Sequence, residues 1–310
     1  MRSDKPNGVL LVFAGAVTCL MWPLAAVLWF RLGEKALGIS LFGLGLSLGP
    51  CLAAYAIVPR VQKQRARRVV LFTGGLSILA FSLLGAANLD IEGFFMLVFA
   101  GAMGAAIGHN LVTVLVGPLL FGRLVCGWGC WRSMVLELLP IGRSTGRRRG
   151  GWTLLAFVGL AATAGVGALS VFMPGRRASG GSGALRAAGI ESIAIGFGVY
   201  YAASVGLAFA LQDQRAFCKY LCPNSAILRV TSRFSLLKMN ANWELCNACG
   251  ACSQVCPMDI DVAQFGALGR RITSGDCILC QQCAHACPTG ALGLTVGLDM
   301  ARRTPFILHT

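Results

Sequence analysis

The chain has 310 residues, 56% of them hydrophobic and only 13% charged, with a mean hydropathy of +0.69 and a formal net charge of +15. A soluble domain carries about 25% charged residues, so a wholly soluble protein is excluded, and 12 Asp and Glu in all leave little from which to build a hydrolase on paired carboxylates. The basic residues lie at the ends of apolar stretches and not in a separable basic domain, which sets nucleic-acid binding aside.

Six stretches contain no Asp, Glu, Lys or Arg: Val9–Phe30, Ala36–Val58, Val69–Leu89, Gly93–Gly122, Trp152–Met173 and Ser192–Leu211. Each has 20 or more residues, enough to cross ~30 Å of hydrocarbon as a helix. They predict an α-helical membrane bundle over residues 1–211 with six spans in contact with lipid. The first stretch exceeds a signal h-region of ~7–15 residues and reads as a retained helix. Arg60, Lys63, Arg65, Arg67 and Arg68 follow the second span, and Arg143, Arg147, Arg148 and Arg149 follow the fourth. Asp90 and Glu92 lie between the third and fourth, while Arg176, Arg177 and Arg186 dissent on the other side. The positive-inside rule then places both termini in the cytoplasm and the chain in the inner membrane.

His109 is the only histidine in any span and stands beside Asn110. One histidine cannot supply a bis-His haem. Polar residues at that depth are costly and often functional, so His109 and Asn110 are a candidate quinone contact. The alternative is a hydrogen-bonded pair between packed helices.

Arg123-Leu-Val-Cys126-Gly-Trp-Gly-Cys130 follows the fourth span, and Arg215-Ala-Phe-Cys218-Lys-Tyr-Leu-Cys222 follows the sixth. Both read R-x2-C-x3-C-x2-S-x-[VI]-L, continuing through Ser133, Val135 and Leu136 in one and Ser225, Ile227 and Leu228 in the other. A parallel internal repeat implies a pseudo-twofold axis along the membrane normal, which would bring the two pairs face to face. On a helix, C-x3-C presents both sulfurs on one face. Cys126, Cys130, Cys218 and Cys222 are therefore candidates for a third metal centre, iron–sulfur or another thiophilic metal. They are equally candidates for redox dithiols, or for thiols that help dock the C-terminal unit.

Residues 212–310 hold Cys246-x2-Cys249-x2-Cys252-x3-Cys256-Pro257, repeated as Cys277-x2-Cys280-x2-Cys283-x3-Cys287-Pro288. This is the ligand pattern of a bacterial two-cluster ferredoxin, in which the fourth cysteine of each run serves the other cluster. It predicts an α+β ferredoxin-like domain with two [4Fe-4S] clusters. Cys246, Cys249, Cys252 and Cys287 would hold one, and Cys277, Cys280, Cys283 and Cys256 the other. Structural zinc needs only paired C-x2-C elements, without the third cysteine and the proline.

With these motifs on the page, the chain resembles the NapH-type polyferredoxins, whose relatives include the membrane halves of the NosR and CcoG proteins and the MauN proteins. Gly122-Arg123, Cys126-Gly127-Trp128 and Cys130 look like that family's first motif, and Cys218 to Pro223 like its second. Trp131 stands where proline is usual, which leaves the local turn open. The resemblance implies single-electron transfer between the quinone pool or a cytoplasmic donor and a partner redox enzyme, as in the membrane component of a quinol dehydrogenase. A metal reductase or assembly factor, or an iron–sulfur redox sensor, are the alternatives.

Overall fold

The computed structural model describes residues 8–85, 88–103, 105–142, 146–148, 150–172, 182–297, 299 and 306–308. Arg143, Arg149, Arg176 and Arg177 lie outside them. Helices α1 (Gly8–Phe30), α2 (Lys35–Ile57) and α3 (Arg60–Leu84) follow one another across short connections and pack in series. Small residues set the spacing: an added Cβ at Gly38 would meet Ala25 and Trp29, and one at Gly45 would press into Trp22. Pro50 removes a donor in mid-helix, and α2 widens there into a π-turn over Ser47–Cys51.

Among the described residues five helices are long and apolar enough to cross a membrane, α1 to α3 together with α8 (Gly151–Phe172) and the Ile193–Leu211 part of α9 (Ser182–Leu211). The expected fourth span, Gly93–Gly122, is not one helix. It divides into α4 (Ile91–Ala100) and α5 (Ile107–Phe121). Gly101, in the left-handed region at φ 65°, ends α4. The chain then returns, so that the Asn110 amide donates to the carbonyls of Leu89 (3.0 Å) and Asp90 (3.4 Å) at the start of α4. Helix α5 continues across a 98° bend into Leu124–Leu136, and counting that pair gives a sixth span.

The third span also differs from expectation. It starts at Arg60, so the basic cluster forms the first turns of α3 and not a loop. This is tolerated because Arg67, fully buried, pairs with Glu137 at 2.7 Å. Asp90 and Glu92 are likewise not surface charges. Asp90 is buried against Arg132 at 2.5 Å, and Glu92 accepts from Asn88 at 2.8 Å.

Two short helix pairs carry the cysteine motifs, α6 (Leu124–Trp128) with α7 (Trp131–Leu136), and α10 (Ala216–Tyr220) with α11 (Pro223–Thr231). Helix α7 packs on α3, and α11 packs on α8. The C-terminal unit is an antiparallel sheet in the order β1-β2-β3, formed by Leu237–Ala241, Leu292–Val296 and Phe306–Leu308. Met239 is paired with Leu294, and Thr295 with Ile307. Helices α12 (Ala251–Gln254), α13 (Val262–Ala267) and α14 (Gln282–Ala286) lie between β1 and β2. Met239, Met258, Val262, Ile272 and Leu294 form its core, and Cys280 and Cys283 join it.

Candidate iron–sulfur centres

Both cysteine runs fold through the same backbone shape. Ala248 and Leu279, one residue before the second cysteine of each run, are left-handed (φ 54° and 52°), as are Gly250 and Gln281 just after it (φ 75° and 59°). Left-handed backbone is costly for a leucine or a glutamine, so its recurrence at matching positions marks a loop shape both runs require. Cys246, Cys249, Cys252 and Cys287 line a small cavity of about 20 Å³. Cys256, Cys277, Cys280 and Cys283 line a second, also of about 20 Å³. These are the crossed sets expected from the spacing. Around the first, Gly266 leaves only 3.1 Å between an added Cβ and Cys246 Sγ, so a side chain there would crowd the thiol. The residues fit [4Fe-4S] clusters: in each case three thiolate donors from one run and one from the other line the same cavity.

The cavities differ in surroundings. Cys249 is exposed, while Cys280 and Cys283 are buried. In the iron-free chain burial pushes the Cys277 thiol up to about 12 and the Cys256 thiol to about 11. At Cys287 burial is outweighed by hydrogen bonds from Thr289 and from the Ala291 and Gly290 amides, and the thiol falls below its usual value. Iron must displace more tightly held protons in the second cavity than at Cys287.

The two C-x3-C motifs are not single helical faces. In each, the first cysteine sits inside a short helix and the second caps the next one. Cys130 (ψ 122°) and Cys222 (ψ 119°) adopt matching backbones, so Trp131 makes the same turn as Pro223. Cys126, Cys130, Cys218 and Cys222 lie within electrostatic reach of one another. Three buried arginines accompany them. Arg132 approaches Cys222 Sγ at 3.9 Å, Arg215 lies near Cys218, and Arg123 lies near Cys126 and Cys222. Each arginine is tied to its own acid: Arg132 to Asp90, Arg215 to Glu137 and Arg123 to Asp276. Arg215 also donates to Ser133 at 2.5 Å, which explains one shared serine of the repeat. Among the described residues no three His, Cys, Asp or Glu side chains meet closely enough to grip a single ion.

His109 lies on α5, and the structure does not bring it to the quartet; its neighbour Asn110 is engaged with the start of α4. Arg67, Glu137, Arg132, Asp90, Lys219, Asp259 and Asp276, which pair around these motifs, carry no spacing signature of their own. The scarcity of acids was the signal, since each of 12 carboxylates in so apolar a chain is conspicuous.

The family described as "4Fe-4S dicluster domain" matches residues 245–292, and the one described as "4Fe-4S binding domain" matches twice, at 111–146 and 195–242. The second family thus falls on both C-x3-C repeats. The MauN methylamine utilization ferredoxin-type protein of Paracoccus denitrificans is 31% identical over 195 residues, 58% of this chain and 63% of that protein. MauN of Methylorubrum extorquens is 29% identical over 205 residues, 62% of this chain and 68% of that protein. YccM of Escherichia coli K12, named for a provisional role in electron transport, is 33% identical over 88 residues, 28% of this chain and 24% of that protein. The chain thus spans under a third of the length of the relatives it matches first. No solved structure matches it. These matches are to 4Fe-4S domains and to proteins of the ferredoxin type. Within that class the chain is a homologue of the MauN-type ferredoxin proteins and is polyferredoxin-like in build.

Proposed function

We propose that the chain is a membrane-embedded relay that carries single electrons between an aqueous redox partner and the bilayer side, with two [4Fe-4S] clusters in the C-terminal unit and a third centre at Cys126, Cys130, Cys218 and Cys222. The observation that carries this reading is the grouping of twelve cysteines into three sets of four, two around cavities and one among buried arginines. Bound clusters would supply one-electron exchange without proton or group transfer. The residues of the chain do the rest. The cysteines hold the iron, and the core around Met239 and Met258 excludes water from the second cavity. Arg123, Arg132 and Arg215 offset the charge that four thiolates would bring into an apolar bundle.

In this reading the five to six apolar helices span the inner membrane, and the ferredoxin unit lies in the cytoplasm. The basic first turns of α3 and the exposed Arg68 support that orientation. The MauN and YccM matches support an electron-transport role and a redox enzyme as partner. The resemblance to NapH-type proteins points to quinol as donor. Anaerobic mixing of the purified protein with a reduced short-chain quinone tests this. Appearance of reduced-cluster EPR signals is expected. Reduction by dithionite but by no quinol would overturn the quinol reading and favour a soluble donor.

A further inference from the structure

The junction between the helices and the ferredoxin unit is one-sided. The quartet motifs touch the loops of the second cavity. The Trp128 indole donates to the Leu279 carbonyl at 3.0 Å. An added Cβ at Gly127 would collide with the Ile278 carbonyl oxygen, so only glycine allows the backbones this close. Arg123 pairs with Asp276, next to Cys277, at 2.9 Å. Arg229 and Arg147 bind the same carboxylate and, against the opposing effect of burial, help hold it below the usual range. From the other repeat, Lys219 is fully buried between Cys218 and Cys222 and pairs with Asp259, three residues past Cys256, at 2.6 Å. Gln64 and Tyr55 add hydrogen bonds to Cys280 and Gln281. The two repeats thus grip the second cavity from two sides, each through a cation within or beside its C-x3-C motif. At the far cavity Asn247, Ala248 and Cys249 are exposed.

We infer that this clamp locks the ferredoxin unit in one orientation, with the Cys256/Cys277/Cys280/Cys283 cavity against the quartet and the Cys246/Cys249/Cys252/Cys287 cavity as the port for electrons exchanged with the aqueous phase. Gly127, Arg123 and Lys219 are its positioning residues. The inference rests on reading the cavities as cluster sites. A soluble one-electron carrier meeting the port gives one electron to the cluster and is oxidised as the cluster is reduced, or takes one in the reverse direction, with no bond made or broken.

Gly127→Ala in the full-length, iron-loaded protein tests the clamp, and Asp259→Asn is a second variant that weakens it without adding bulk. In the wild type, hydrogen–deuterium exchange should be slow over residues 275–283 and fast over 246–250. In both variants exchange over 275–283 should rise roughly tenfold, equivalent to about 1.4 kcal/mol of docking, with 246–250 unchanged and iron content kept. A soluble paramagnetic relaxing agent should reach one of the two ferredoxin cluster EPR signals in the wild type and both in the variants. Equal exchange of the two loops in the wild type, or no change over 275–283 in either variant, would overturn the orientation. Wild-type protein that holds no iron would defeat the cluster reading instead, while the exchange pattern would still decide the orientation.

Discussion

Glu137 accepts from Arg67 at 2.7 Å and from Arg215, and Arg68 stands 3.6 Å away. Two of these arginines are buried, so the carboxylate neutralises charge that has no access to water. Removing one partner of a buried pair typically costs about 3–5 kcal/mol because the other charge stays behind. Glu137→Gln should therefore lower the thermal unfolding midpoint in detergent sharply, whereas Glu137→Asp should recover part of the loss. Burial alone would raise the Glu137 carboxyl, but Arg215 and Arg67 outweigh it and hold it below the usual range. A lowered folded value stabilises the fold above the ordinary carboxylate range, and that stability drains away as pH falls through the lowered value. Thermal midpoints measured from pH 7 down to pH 3 should show this acid limb in the wild type and a flatter one in Glu137→Gln. An identical pH dependence in both would contradict the role given to Glu137.

Helix α3 is held to α7 by two adjacent glycines: an added Cβ at Gly75 would lie 2.9 Å from Met134 Sδ and 3.1 Å from Trp131 Cα, and one at Gly74 would lie 3.3 Å from Gly129 Cα. Gly75→Leu should disrupt that contact and with it the first C-x3-C motif, whereas Gly165→Leu, in open space on α8, should be silent. Monodispersity and thermal midpoint after detergent extraction would separate the two. The length of Gly93–Gly122 left room for a tilt or a break, but its place at Gly101 was not legible from hydropathy, because the stretch is uncharged throughout and a reversal leaves composition unchanged. The early start of α3 was hidden for the opposite reason. Charge counting assigns Arg67 to a loop, and only its partner 70 residues away shows it can be buried. The likeness of the two cysteine loops was legible, since equal spacing accompanies left-handed residues at matching positions in both. The helical break inside each C-x3-C was not, as i,i+4 spacing reads equally as one continuous turn.

Across the whole molecule the three cysteine sets form a series from the exposed Cys249 loop, through the buried second cavity, to the quartet between the repeats. The buried ion pairs trace the same line, through Asp276 and Asp259 to Arg123 and Lys219. That continuity gives a chain of ferredoxin class a reason to carry two further 4Fe-4S-type repeats beside its apolar helices. The proposed relay requires that the quartet hold a centre of its own. The direct measurement is iron and acid-labile sulfide per chain on anaerobically purified protein, for the wild type and for Cys126→Ala with Cys218→Ala. About twelve irons falling to about eight is the expected result, at four per cluster. About eight in both would leave the ferredoxin unit intact and contradict a third cluster.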